Sequence, residues 1–67
     1  MPEITVNGKV RGVEPGATVA DLLAEQKIRA RFLVVERNGE PVPRDAFEAT
    51  VLAEGDRLEI VSPVGGG

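Results

Sequence analysis

The sequence predicts an α+β domain, a four- or five-stranded mixed sheet packed on one helix and followed by a flexible C-terminal glycine tail. Three observations predict it. Apolar residues alternate on either side of an early Asn-Gly pair, which is hairpin patterning. One segment, just after Thr18, places apolar residues at helical spacing. The later apolar segments are short, rich in β-branched residues and separated by turn residues.

Ile4 and Val6 alternate with Thr5, and Asn7-Gly8 tolerates the positive φ of a tight hairpin turn. Residues 10–13 return as the second strand, with Gly12 marking a bulge. Glu14-Pro15-Gly16 is a turn. Thr18 is a helix N-cap, and Asp21 three residues on completes a capping-box pattern and lays negative charge on the helix's positive end. Such a cap contributes about 1 kcal/mol. The helix runs from about residue 19 to 26, with Val19, Leu22 and Leu23 as its apolar stripe, Lys27 suiting its C-terminal dipole and Ile28 tucked beneath. Residues 32–35 read as a central strand buried on both faces. Asn38-Gly39 is a second turn. Residues 40–43 carry two prolines and so form an edge strand or extended loop. Residues 44–47 suit one helical turn, and Val51-Leu52 is a short apolar patch. After a turn at Glu54-Gly55-Asp56, in which Asp56 bonds backbone, residues 57–61 alternate with Leu58 and Ile60 inward. Pro63 ends that strand.

Hairpin, helix, strand, irregular connection and strand, in that order, is the ubiquitin-like or β-grasp arrangement. The expected division is a domain over residues 1–62 and a tail over residues 63–67. An exposed last strand would set that tail at the rim.

Composition narrows the chemistry. The 67 residues include no cysteine and no histidine. That excludes disulfides, thiol nucleophiles, thiolate metal sites and the commonest general base. A chain of this length buries only about 60% of its unfolded surface, so its stability margin is thin. Eight cations are scattered among eleven acids for a net charge of −3, which disfavours nucleic-acid binding. The first residues lack the pattern of a signal peptide, and no stretch approaches the roughly 20 apolar residues of a membrane span. A cytoplasmic protein with no metal, cofactor or membrane partner is the expectation.

The chain ends "SPVGGG". Fully extended, those residues reach about 17 Å. Without a Cβ, glycine lets a backbone enter a narrow channel. A terminal carboxylate, with an ordinary pKa of about 3.5, is ionised and a poor electrophile until ATP converts it to an acyl-adenylate. No phosphate-binding loop is present here, so another protein must do this. The acyl group can then pass to sulfur, as a thiocarboxylate, or to an amine. The plainer reading, an inert end without defined structure, stays open at this point.

Several stretches resemble one family. "VNGK", "TVADLL", "VVERNGEPVPR", "EGDRLEIV" and the final "VGGG" are similar to the sulfur carriers of thiamine thiazole biosynthesis, the ThiS family, along the whole chain. The glycine pair and the E-G-D turn are shared with related carriers such as the small subunit of molybdopterin synthase. The resemblance implies that an E1-like adenylating enzyme uses ATP to adenylate the carboxylate of Gly67. A cysteine desulfurase would be the source of the sulfur, and thiazole synthase would accept it. Gly66 and Gly67 match the family's terminal pair, Gly65 extends it, and no processing protease would be needed. The chain itself would be a co-substrate rather than an enzyme.

The remaining residues have two readings each. Val64 is a contact at a partner's channel mouth or a single exposed apolar residue. Val61 points away from the core and is a docking residue, or it packs on a neighbouring strand. Arg44 meets an acidic patch on the activating enzyme or is a solvated cation in weak ion pairs. Arg37, Asn38 and Gly39 are a turn before they are a binding site. Rival functions are sulfur delivery to molybdopterin or tRNA, a ubiquitin-like modifier joined to lysines through Gly67, and an interaction module with an inert tail.

Overall fold

The computed structural model describes residues 1–27 and 33–61. The expectations for Ile28, Phe32, Ser62, Pro63 and the tail fall on residues outside that described part. Strands β1 (Glu3–Val6) and β2 (Lys9–Gly12) form the hairpin, followed by α1 (Val19–Glu25), β3 (Val34–Arg37), β4 (Glu40–Val42), a 3-10 turn at Arg44–Ala46 and β5 (Arg57–Val61). The sheet order is β2-β1-β5-β3-β4, with β1 and β5 parallel and the other pairs antiparallel. This is the ubiquitin-like β-grasp.

Both Asn-Gly pairs form the turns expected of them. Asn7 and Gly8 have φ of 51° and 86°, and Asn38 and Gly39 have 54° and 86°, the positive values a two-residue hairpin turn requires. Gly12, however, is no bulge. It sits in register opposite Glu3, and a Cβ there would meet Met1 Cε at 3.4 Å.

The helix start is fully satisfied. Thr18 Oγ1 accepts from the Asp21 N–H at 3.2 Å, and Asp21 Oδ2 accepts from the Thr18 N–H at 3.0 Å. The next two orphan donors go to the irregular connection: Val19 N–H to the Thr50 carbonyl and Ala20 N–H to the Phe47 carbonyl, each at 3.0 Å. The connection thus docks against the helix N-terminus, with Thr18 bridging Val51. At the other end Lys27 lies past the last helical turn. It takes a left-handed conformation, φ 58°, that glycine usually fills.

One face of the sheet is covered. Ile4, Val6, Val35 and Leu58 on it meet Val19, Leu22 and Leu23 of the helix, with Val13, Phe47 and Leu52 closing the core. Arg11 of β2 pairs with Glu25 of α1 and ties the edge strand to the helix. The opposite face is open, which corrects two expectations. β3 is not buried on both sides, since Val35 is buried while Val34 is 45% exposed. The last strand is not exposed at an edge either; β5 is the middle strand of five. The cause is that β5 is paired on both sides, parallel with β1 and antiparallel with β3.

Candidate functional site

The tail leaves from the centre of the sheet, so the site is built around the end of β5. Alternation sends Leu58 and Ile60 toward the helix and Arg57, Glu59 and Val61 to the open face. Val61 is 55% exposed, and Val34 lies directly opposite it on β3. The two valines form an apolar pair at the point where the chain continues to residue 62. Next to them Glu36 stands opposite Glu59, a like-charge cross-strand pair that costs stability in the isolated domain. An apolar pair bordered by two acids is a surface suited to a partner with an apolar contact and a basic rim.

Arg44 is exposed and opens the 3-10 turn after Pro43. The β3–β4 register puts Val42 level with Val35 and hence Ile60, so β4 ends at the same end of the sheet as Val61. Two strand spacings, about 10 Å, separate them. Val64, Gly65, Gly66 and Gly67 lie outside the described residues. Among the described residues no group of three or more His, Cys, Asp or Glu side chains is placed to hold a metal ion. No helix among them is long and apolar enough to cross a membrane.

Two polar clusters fix β5, and reading the Asn-Gly pairs only as turns misses both. At the start of the strand Asp56 is 5% exposed and sits among donors. Its Oδ2 accepts from Ala53 N–H at 2.8 Å and Arg37 Nε at 2.9 Å, and its Oδ1 from Asn38 Nδ2 at 3.1 Å. The bond to the Ala53 N–H is the backbone contact expected for this turn. Burial alone would push the carboxyl up. The Ala53 N–H, the Asn38 amide and the Arg37 guanidinium outweigh it and hold the pKa below the usual aspartate value. A lowered folded-state pKa stabilises the domain above the unfolded value, about 3.9, and that contribution is lost as pH falls through the folded value. Asp56→Asn should cost about 1.5–3 kcal/mol at neutral pH, since it unpairs the guanidinium and sets donor against donor. Denaturant titrations at pH 7 and pH 3 check this: the gap between the two proteins should narrow at the lower pH.

The second cluster is at the other end of β5. Asn7 Oδ1 accepts from Ile60 N–H at 2.9 Å, and Asn7 Nδ2 donates to the Ile60 carbonyl at 3.3 Å. The signal was in the sequence, as an Asn rather than a second Gly at the first turn position, but its partner lies 53 residues away.

Comparison with known proteins converges on one group. A protein-family model described as the ThiS family matches residues 4–67. A sulfur carrier protein ThiS of Bacillus subtilis is 35% identical over 65 residues, covering 96% of this chain and 98% of its own length. A thiazole synthase of Paramagnetospirillum magneticum is 38% identical over 97% of this chain, which spans only 20% of that protein's length. The crystal structure of the thiamine biosynthesis protein ThiS from Geobacter metallireducens superposes with a TM-score of 0.83 at 40% identity, covering 97% of this chain and 99% of that one.

Proposed function

The chain belongs to the ThiS family, and from that premise we propose that it is a sulfur carrier for the thiazole of thiamine. The observation that carries the reading is the end-to-end match with a sulfur carrier, 98% of the carrier's own length, on a chain whose middle strand ends at Val61, six residues before the terminal Gly67 in sequence. In this reading residues 63–67 are the working segment and Gly67 is the residue that changes. Its carboxylate oxygen attacks the α-phosphorus of ATP on an E1-like enzyme, giving the acyl-adenylate and pyrophosphate. Hydrosulfide then attacks the carbonyl carbon, AMP leaves, and the thiocarboxylate remains. A cysteine desulfurase mobilises the sulfur as a persulfide, a thiol reductant is oxidised to its disulfide in releasing that sulfur as hydrosulfide, and thiazole synthase accepts it from the thiocarboxylate.

The chain's own contribution is delivery. It is a cytoplasmic co-substrate and not an enzyme, and ATP binds the activating partner rather than this domain. Gly65 and Gly66 keep the end slender, and Val64 meets the channel mouth. Val61, with Val34, docks the body, and Arg44 meets an acidic part of the activating enzyme.

Complementation separates the thiazole acceptor from others. In Bacillus subtilis lacking its own ThiS, expression of this chain is expected to restore growth without added thiazole. Failure to restore growth, from a chain that still acquires a terminal thiocarboxylate in those cells, would move the sulfur to a different acceptor.

A further inference from the structure

Asn7 has a place in the sheet that its turn role does not require. β1 and β5 run parallel, with Val6 opposite Leu58. The ladder proceeds through Thr5 N–H to the Asp56 carbonyl and Asn7 N–H to the Leu58 carbonyl, both at 2.9 Å. In a parallel ladder the following bond runs from Ile60 N–H to the main-chain carbonyl of Asn7. That carbonyl is lost to the ladder, because the chain turns at Asn7 and Gly8 into the hairpin. The Asn7 side chain supplies the missing group. Its Oδ1 accepts from Ile60 N–H in the carbonyl's stead, and its Nδ2 donates to Ile60 O. One carboxamide therefore imitates one peptide of a strand that has already ended. It extends two-sided pairing of β5 to Ile60, one residue before Val61, which is held across the other side by Val34.

We propose that Asn7 is a positioning residue for the C-terminal segment: its carboxamide splints the end of β5 and so sets the direction in which the tail leaves the domain. The proposal rests on the sulfur-carrier reading, in which that tail must enter a partner's active site while the body docks elsewhere on the same enzyme. Docking of the body and entry of the tail are then two linked events, and a wandering exit lowers the fraction of docked complexes with the carboxylate in place. Asn7 touches no reacting atom; it acts through β5.

Asn7→Gly is the informative variant, because glycine keeps the positive-φ turn and removes the carboxamide. Asn38→Gly is its matched control. There too a side-chain oxygen accepts from β5, from Arg57 N–H at 2.9 Å, but at the strand's beginning. Asn7→Asp keeps the acceptor for Ile60 N–H and loses the donor. Each full-length protein is assayed for ATP–pyrophosphate exchange with the activating enzyme of Bacillus subtilis, alongside its Kd for that enzyme and hydrogen exchange at Ile60. The proposal expects Asn7→Gly to lose about tenfold to a hundredfold in kcat, the range for misplaced reactants. Its Kd should be unchanged, and Ile60 should exchange faster. Asn7→Asp should recover part of the rate, and Asn38→Gly should keep the wild-type kcat. Equal losses in Asn7→Gly and Asn38→Gly would reduce Asn7 to a stability residue and overturn the proposal. So would wild-type kcat in Asn7→Gly, or undisturbed exchange at Ile60, which reads the splint independently of any sulfur chemistry. No exchange by the wild-type chain would overturn the carrier reading, and the proposal with it.

Discussion

Deleting Gly66 and Gly67 is expected to abolish sulfur transfer while leaving the thermal unfolding transition where it was. The two halves of this expectation have different origins. Transfer is lost because the carboxylate moves to Gly65, two residues or about 7 Å short of its full reach. A nucleophile and an α-phosphorus must come within about 3–3.5 Å to react, so a shortfall of that size is not made up by local motion. Folding persists because, among the described residues, the buried core cluster is drawn from positions between Ile4 and Leu58 and the strand pairings end by Val61. Pyrophosphate exchange and a melting curve on the same preparation check both halves. An inert tail would leave transfer intact, and a tail belonging to the body would lower the transition temperature.

Leu58→Ala should do the reverse, destroying the domain without touching the tail. Leu58 is 1% exposed on the middle strand, on the face packed against the helix. Truncating a buried leucine costs about 2–5 kcal/mol through lost transfer energy and the cavity left behind. A domain of this length has only about 3–10 kcal/mol in total. At roughly 4–8 °C per kcal/mol, a mid-range loss lowers the midpoint by about 15–25 °C. Leu58→Met nearly conserves volume and should cost less than about 1.5 kcal/mol. Calorimetry of the three proteins checks the order, and a midpoint for Leu58→Ala within a few degrees of wild type would mean that β5 is not the strand the core is built on.

Local signals in the sequence carried most of the fold. Asn-Gly pairs specify their turns through allowed φ, Thr18 and Asp21 specify the helix start, and the two prolines of residues 40–43 restrict them to an edge strand or an extended loop, of which the structure has the edge strand. What local signals do not carry is which strand pairs with which. Residues 57–61 look the same whether they form an edge or a centre, and only long-range pairing with β1 on one side and β3 on the other puts them in the middle. The run before Glu36 is apolar at successive positions, a pattern that fits a doubly covered strand. With a single α-helix among the described residues covering one face, Val34 is left outward beside Val61. That residue completes the apolar pair at the chain's exit, and it was legible only once the register was known. Val61 itself was legible, since strict alternation from Leu58 and Ile60 leaves it no other side. Asn7 and Asp56 were legible as turn residues. Their bonds to Ile60, Arg37 and Asn38 join segments distant in sequence, and no periodicity encodes those.

Intact and fragment mass spectrometry of the chain, after incubation with ATP, an E1-like activating enzyme and hydrosulfide, is the most direct test of the carrier account. Exchange of one carboxyl oxygen for sulfur adds nearly the mass of an oxygen atom, and oxidation of Met1 imitates it in the intact mass. Fragmentation, or alkylation of the thioacid, must therefore locate the change. The account predicts sulfur on the carboxyl of Gly67 and nowhere else. An unaltered Gly67 under those conditions, or a Gly67 carbonyl joined through an amide to another protein's lysine, would contradict it.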